Sequence, residues 1–201
     1  MGRREENKAA KRSRLEGEAC RAFLEHGFAG ASVERIAAAA GVARGTFYLY
    51  FEDKRELYTS LVDSVVDPLC AEVETARDAL VHCDSLEATL PVYVALGARL
   101  GEIVLSRPDA TRLVLCEARS AGPGGEVVRG RIARLEDLTR SILDDAGRRG
   151  LFRPHDGRAA ALAIVGAIER LAGSALSGDS ELALAGLPRE IALLFRHGLE
   201  A

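Results

Sequence analysis

The stretch that most constrains this chain is Gly41-Val42-Ala43-Arg44-Gly45-Thr46-Phe47-Tyr48-Leu49-Tyr50-Phe51, followed by Lys54. It holds a turn, one very short helix and closely spaced aromatic side chains. A helix that short is not stable alone, because nucleation costs more than a few hydrogen bonds return. It needs neighbours to hold it. The run before it, Ser32 to Ala40, reads as a helix with Ser32 as N-cap and Glu34 in the first turn. Val33, Ile36, Ala37 and Ala40 fall on one face of that helix. Gly41 then ends it, since glycine adopts the left-handed backbone needed to leave a helix, and Val42 can pack back on the core. Two short helices joined by a glycine-containing turn of three or four residues form a helix-turn-helix.

The second of these helices sorts its residues by face. Phe47 and Phe51, at i and i+4, point inward, while Arg44, Thr46, Tyr48 and Tyr50 fall largely on the other side. Arg44 can donate to a guanine edge or a phosphate, and Gly45 lets the backbone come close to one. The Thr46, Tyr48 and Tyr50 hydroxyls and the Lys54 ammonium suit phosphate oxygens. Ser32, at the start of the preceding helix, completes the candidate DNA-contacting set. The competing reading is that Tyr48 and Tyr50 are half-buried core aromatics.

Phe28-Ala29-Gly30-Ala31-Ser32-Val33, then Ile36-Ala37, Gly41-Val42 and Gly45-Thr46-Phe47-Tyr48-x-Tyr50-Phe51-x-x-Lys54, resembles the DNA-binding domain of the tetracycline-repressor (TetR) family. The resemblance runs from about Leu15 to Leu61. It departs at Ala43, where such proteins often carry a serine that caps the recognition helix; losing that cap costs about 1 kcal/mol. The resemblance implies an all-α protein: an N-terminal three-helix helix-turn-helix domain at 15–60 and a larger helical effector-binding and dimerisation domain at 61–201. A basic arm at 1–14 precedes them. It further implies a homodimeric transcriptional regulator, most often a repressor, that a small-molecule effector releases from a palindromic operator. On such an operator two reading heads sit about 34 to 36 Å apart, or at a related distance set by the dimer.

Composition fits an all-helical chain. Hydrophobic residues make up 48% of the 201 residues, tryptophan is absent, and no segment alternates apolar with polar side chains. The net charge of −3 argues against a protein that coats nucleic acid indiscriminately, so the placement of charge matters more than its total. Residues 1–14 carry six basic side chains against two acidic ones. That arm can lie along a phosphate backbone or reach into a minor groove; the alternative is a solvated tail. No apolar run reaches the 18 or so residues of a membrane span, and the first residues lack the apolar core of a signal peptide, so the expectation is a cytosolic protein with no membrane partner. Cys20, Cys70, Cys83 and Cys116 lack metal-ligand spacing and read as reduced, mostly buried thiols. His26, His82, His155 and His197 are dispersed, and no phosphate-cradling loop or metal motif accompanies them. An enzyme or carrier on a helical scaffold therefore finds little support, and neither cofactor nor metal is expected.

Beyond residue 54 the periodicity predicts helices over Lys54 to Leu80, kinked at Pro68, and from a Ser85 cap to Ser106, the latter apolar almost all round and so expected to be buried on every side. Further helices follow over Pro108 to Ser120, Glu126 to Arg149, Gly157 to Leu176 with Asp156 as cap, and Pro188 to Leu199 with a possible start near Ser180. Tyr93, Arg99, Glu102, Cys116 and Glu117 are polar exceptions on apolar helices and are the candidates for lining the effector pocket that the resemblance implies. Arg99 and Glu102 can instead pair with each other, or these residues can face water. The last two helices, with Leu162, Gly166, Ile191, Leu194 and Phe195, can supply half of a four-helix bundle completed by a second chain, or close the core of one chain.

Overall fold

The computed structural model describes residues 2–178 and 186–199. Nine helices lie among them: α1 (Arg3–Gly30), α2 (Val33–Ala39), α3 (Arg44–Phe47), α4 (Lys54–Leu80), α5 (Leu86–Ser106), α6 (Pro108–Glu117), α7 (Pro123–Arg148), α8 (Gly157–Leu176) and α9 (Leu187–Leu199). The expected all-α class holds. A last helix beginning near Ser180 lies outside the described residues.

Local chemistry places most of the ends. Ser85 Oγ accepts from Ala88 N at 3.2 Å, and Asp156 Oδ1 accepts from Arg158 N and Ala159 N at 2.9 and 3.1 Å. Each hydroxyl or carboxylate thus satisfies amide groups that the helix leaves without an internal partner. α7 begins at Pro123, three residues before the expected Glu126, because proline fits the first turn of a helix, where its missing N–H costs nothing. Pro68 is accommodated inside α4, which continues to Leu80.

The chain divides into two compact units, one made of residues 1–65 and 109–130, the other of 66–108 and 131–201. This differs from a simple boundary near residue 60. The segment holding α6 and the start of α7 belongs with the reading head, and the division of α4 falls in the turn before Pro68. In the first unit Leu15, Ala19 and Phe23 of α1, Ile36 and Ala37 of α2, Phe47, Phe51, and Leu57, Tyr58 and Val62 of α4 are buried. Phe23, Phe28 and Tyr58 form an aromatic cluster, the Tyr58 ring meeting each of the others edge-on at 5.0 Å.

The expected N-terminal arm is helical: residues 3–14 are the opening turns of α1. Arg12 explains part of this. Its guanidinium pairs with Glu16 at 2.9 Å, reaches Ser60 Oγ at 3.4 Å and lies 4.9 Å above the Phe51 ring, so this arm residue is engaged with the core of its own unit.

In the second unit one cluster joins Val73, Leu80, Cys83 and Ile142, and another joins Leu143, Ala146, Phe152, Ala161 and Leu199. Tyr93 packs against both. α9 packs on α5. The complete burial expected of α5 does not occur: Thr89, Leu100 and Val104 are buried, while Leu105 is 47% exposed. The expectation about membrane-length segments also needs correction, because α5 and α8 are each long and apolar enough, by length and composition, to cross a membrane. Charges such as Arg99 and Glu102 interrupt the apolar run of α5 without making the helix polar as a whole. The same composition supplies core: Ala161 and Val165 of α8 are buried.

At Gly97 a Cβ would lie 2.9 Å from Pro188 Cβ and 3.2 Å from its Cα, so the α5–α9 contact depends on a missing side chain. Gly97→Ala is expected to lower stability by about 1 to 3 kcal/mol through overpacking. Gly101→Ala, where nothing lies within 4 Å, is expected to be neutral or stabilising by up to about 1 kcal/mol. Thermal unfolding of the two variants checks both.

Candidate functional site

The reading head is built from three local devices. Ser32 Oγ accepts from Arg35 N at 3.3 Å and starts α2. At the other end Gly41 takes φ +67, its amide donates to Ala38 O at 3.1 Å, and Val42 N donates to Ala37 O at 3.0 Å. That paired hydrogen-bond pattern closes the last turn of α2 and turns the chain toward α3. α3 itself has four residues and no side-chain cap at Ala43, as expected from the missing serine. What holds it is Phe47, completely buried, with Phe51 at 5.7 Å between ring centres.

That anchorage leaves the opposite surface outside. Arg44 and Gly45 are exposed, Thr46 and Tyr50 are half-buried, and Tyr48 is 47% exposed. Tyr48 is therefore not a core aromatic, and Tyr50 is only partly one. Ser32 is half-buried; its oxygen accepts the capping bond, and its hydroxyl hydrogen remains a donor. The turn also presents Leu49, 74% exposed, a residue that pattern reasoning passed over because polar groups drew attention.

Two neighbours set the electrostatics of Arg44. Glu34, exposed in the first turn of α2, pairs with it at 3.1 Å, and the Tyr48 ring centre lies 6.0 Å from the guanidinium carbon. The Tyr48 hydroxyl first, and Glu34 next, favour the charged form and raise the Arg44 pKa. Glu34 is the site residue that sequence reading credited only with helix-dipole stabilisation. Its contact with Arg44 depends on the angle between α2 and α3, which no spacing rule reports.

Lys54 requires a correction. Expected on phosphate oxygens, its ammonium instead donates to Phe28 O at 2.7 Å, Ala31 O at 2.8 Å and Ala29 O at 3.5 Å, and lies 4.6 Å above the Phe28 ring. These are carbonyls at the end of α1, which lack helical partners. Lys54 thus joins the end of α1 to the start of α4. Asp53 helps by accepting Glu56 N at 2.7 Å, while Glu56 accepts from Glu52 N. The Asp53-x-x-Glu56 spacing is the capping signature that could have found this junction.

The expected effector residues divide between the two units. Tyr93 lines a cleft of about 290 Å³ in the second unit, floored by Leu80, Ile142 and Ala146 and edged by Arg77, Arg148 and Arg149. Arg99 and Glu102 pair with each other at 2.9 Å, with side chains 63% and 67% exposed, because three residues along a helix place them side by side on its outer face. Cys116 is exposed, and it and Glu117 belong to the first unit. There Glu117 acts on Tyr58, whose phenol is held well above its ordinary pKa by burial first and by Glu117 second. Cys20, Cys70 and Cys83 are buried; burial first, and Asp109 next, raise the Cys20 pKa to about 11, which keeps it an unreactive thiol at neutral pH.

Of the dimer candidates, Leu162 is 46% and Leu194 71% exposed, while Gly166, Ile191 and Phe195 are half-buried. A Cβ at Gly166 would meet nothing within 4 Å, so the α8 backbone is open there. α9 also feeds the core of its own chain through Ala192 and Leu199.

A short helix seated on buried aromatics, turned outward after a glycine-closed partner, defines a helix-turn-helix DNA-binding head. Residues 17–61 match the family described as bacterial regulatory proteins, tetR family. Over 122 residues it is 27% identical to the HTH-type transcriptional regulator RutR of Escherichia coli strain K12, covering 61% of this chain and 54% of that one. Over 74 residues it is 40% identical to the HTH-type transcriptional repressor AcnR of Corynebacterium diphtheriae, covering 34% of this chain and 38% of that one. The chain thus spans about half, or less, of the length of these relatives. The transcriptional regulator FadR of Bacillus subtilis, solved in complex with stearoyl-CoA, has the same fold over 94% of this chain and 99% of its own, with a TM-score of 0.68 at 19% identity.

Two variants separate the roles assigned here. Lys54→Ala is expected to destabilise the fold by about 1.5 to 3 kcal/mol, the scale of a charged hydrogen-bonding group, while leaving the salt dependence of DNA binding unchanged. A phosphate contact at Lys54 would instead lower the salt slope by about one unit. Glu34→Gln is expected to tighten DNA binding by up to about fivefold by releasing Arg44 and removing a negative charge from the reading surface, measured by fluorescence anisotropy at low salt.

Proposed function

We infer that this chain is a sequence-specific DNA-binding transcriptional repressor that acts as a homodimer on a palindromic operator and is released by a small organic effector. The observation that carries the reading is the outward surface of α3, where Arg44, Gly45, Thr46, Tyr48 and Tyr50 stand on the buried Phe47–Phe51 pair. A platform of this kind holds donors at fixed positions, which base reading requires, with Arg44 assigned to a base edge and Tyr48, Thr46 and Ser32 to phosphates. A single helix of four residues spans few base pairs, so specificity calls for a second head related by a two-fold axis. Exposed Leu162 and Leu194 and the open backbone at Gly166 fit a face that a second copy covers. The regulator and repressor names of the relatives support the DNA-directed role, and the stearoyl-CoA bound by the Bacillus subtilis neighbour supports an effector role for the second unit. An address in the cytoplasm, where operator DNA is found, follows from the same reading.

The acidic balance of the chain weighs against an architectural binder, which would show a steep salt slope with little sequence discrimination. Selection of bound duplexes from a random pool tests the assignment: a palindromic motif is expected, and recovery of sequences without a shared motif would refute it. The Ile191→Asp, Leu194→Asp double variant is expected to sediment as a monomer and to lose operator binding. A double variant that remains a dimer would move the interface elsewhere.

A further inference from the structure

Two long helices of the second unit end beside one cleft. α4 carries Arg77 in its last turn and α7 carries Arg148, each cation placed where it offsets the partial negative charge of unpaired carbonyls. Arg149 follows. The cleft they edge has a volume of about 290 Å³, and Thr89 and Tyr93 of α5 contribute to its wall.

The three arginines are not equivalent. Arg149 is committed to structure, since it donates to Leu80 O at 2.9 Å and to Cys83 O, and lies 3.8 Å from Asp145. Arg77 and Arg148 have looser partners: Arg77 is 3.4 Å from Asp78, and Arg148 is 3.3 Å from Asp145. Their side chains are 44% and 69% exposed, and pairs so exposed are exchanged at little cost. Three guanidiniums against the two carboxylates that pair with them leave one positive charge at the rim, in a chain whose total charge is −3. Beneath the rim the floor is apolar, formed by Leu80, Ile142 and Ala146.

Tyr93 adds a polar point to that floor. Its ring packs against both core clusters, and its hydroxyl makes no hydrogen bond among the described residues. Burial raises its pKa to about 12, so it remains protonated and able to donate at neutral pH.

We propose that the cleft binds an organic monoanion of about two fused rings, such as an aromatic carboxylate, with the anion between Arg77 and Arg148 and the apolar body on Leu80, Ile142 and Ala146. The single excess charge selects a monoanion, and the guanidinium fork matches a carboxylate. The volume sets the size: an apolar cavity of about 150 Å³ holds benzene, so this cleft takes roughly twice that. The Tyr93 hydroxyl is the remaining donor for the ligand. This proposal rests on the reading of the second unit as the effector unit and names the class of molecule that it takes.

The test is isothermal titration calorimetry of the full chain with 2-naphthoate and its neutral isostere 2-naphthamide at pH 7 and low salt. Naphthoate is expected to bind at least about tenfold tighter than the amide. The Arg77→Gln, Arg148→Gln double variant is expected to lose about tenfold in naphthoate affinity with amide binding unchanged, and Arg148→Gln alone serves if the double variant does not melt like the parent. Equal binding of the two probes, naphthoate affinity unchanged in the variant, or no saturable naphthoate binding with a Kd below about 1 mM would each overturn the proposal. Operator release, read by anisotropy in the same samples, separates the two claims. Charge-selective binding without release supports the cleft and removes the effector role, whereas release by other compounds with no naphthoate binding keeps the effector role and removes this site.

Discussion

The ammonium of Lys54 is the interaction on which the DNA-reading surface depends. By gathering the carbonyls of Phe28 and Ala31, it fixes where α1 ends, where α2 begins and where α4 starts. α3 has four residues and no cap of its own, so its orientation is inherited from that frame through Phe47 and Phe51. A charge placed among unpaired carbonyls and over an aromatic ring keeps favourable electrostatics while covering groups that burial would otherwise strand. Arg12 over Phe51 extends the same logic to the N-terminal half of α1.

On this frame the functional surface is balanced rather than uniformly basic. Arg44, which the proposed function assigns to a base edge, pairs with Glu34 at 3.1 Å, so on that reading its guanidinium exchanges one acceptor for another when DNA binds. Such an arrangement lowers non-specific attraction to phosphates, in keeping with the acidic excess of the whole chain. Specificity then depends on geometry more than on charge.

The second unit follows a different economy. Its helices use small residues where they approach one another, as at Gly97 against Pro188, and its cations gather where helices end. Arg149 closes the end of α4, and Arg153 does the same for α9 by donating to Gly198 O at 3.0 Å and, through its amide, to Leu199 O at 2.9 Å. These contacts leave Arg77 and Arg148 at a cleft mouth, while the apolar side chains of α8 and α9 divide between the core and an exposed face.

Much of this was legible in the sequence, for local reasons. The helix starting at Ser85, the cap at Asp156, the glycine exit at Gly41 and the inward pair Phe47 and Phe51 depend on contacts within one or two turns, which spacing encodes directly. What required the tertiary structure were contacts between groups distant along the chain. Lys54 looked like a phosphate ligand because its carbonyl partners lie 23 to 26 residues upstream. Glu34 looked like a dipole partner because its ion pair crosses the turn between two helices, and the place of Cys116 and Glu117 in the first unit follows from packing that no spacing encodes. The sequence by itself determined which segments are helical and which face of each is apolar, since periodicity and capping are properties of neighbours. Only the tertiary structure decided which charges engage the protein's own backbone and which stay exposed, because that depends on which helix ends packing brings together.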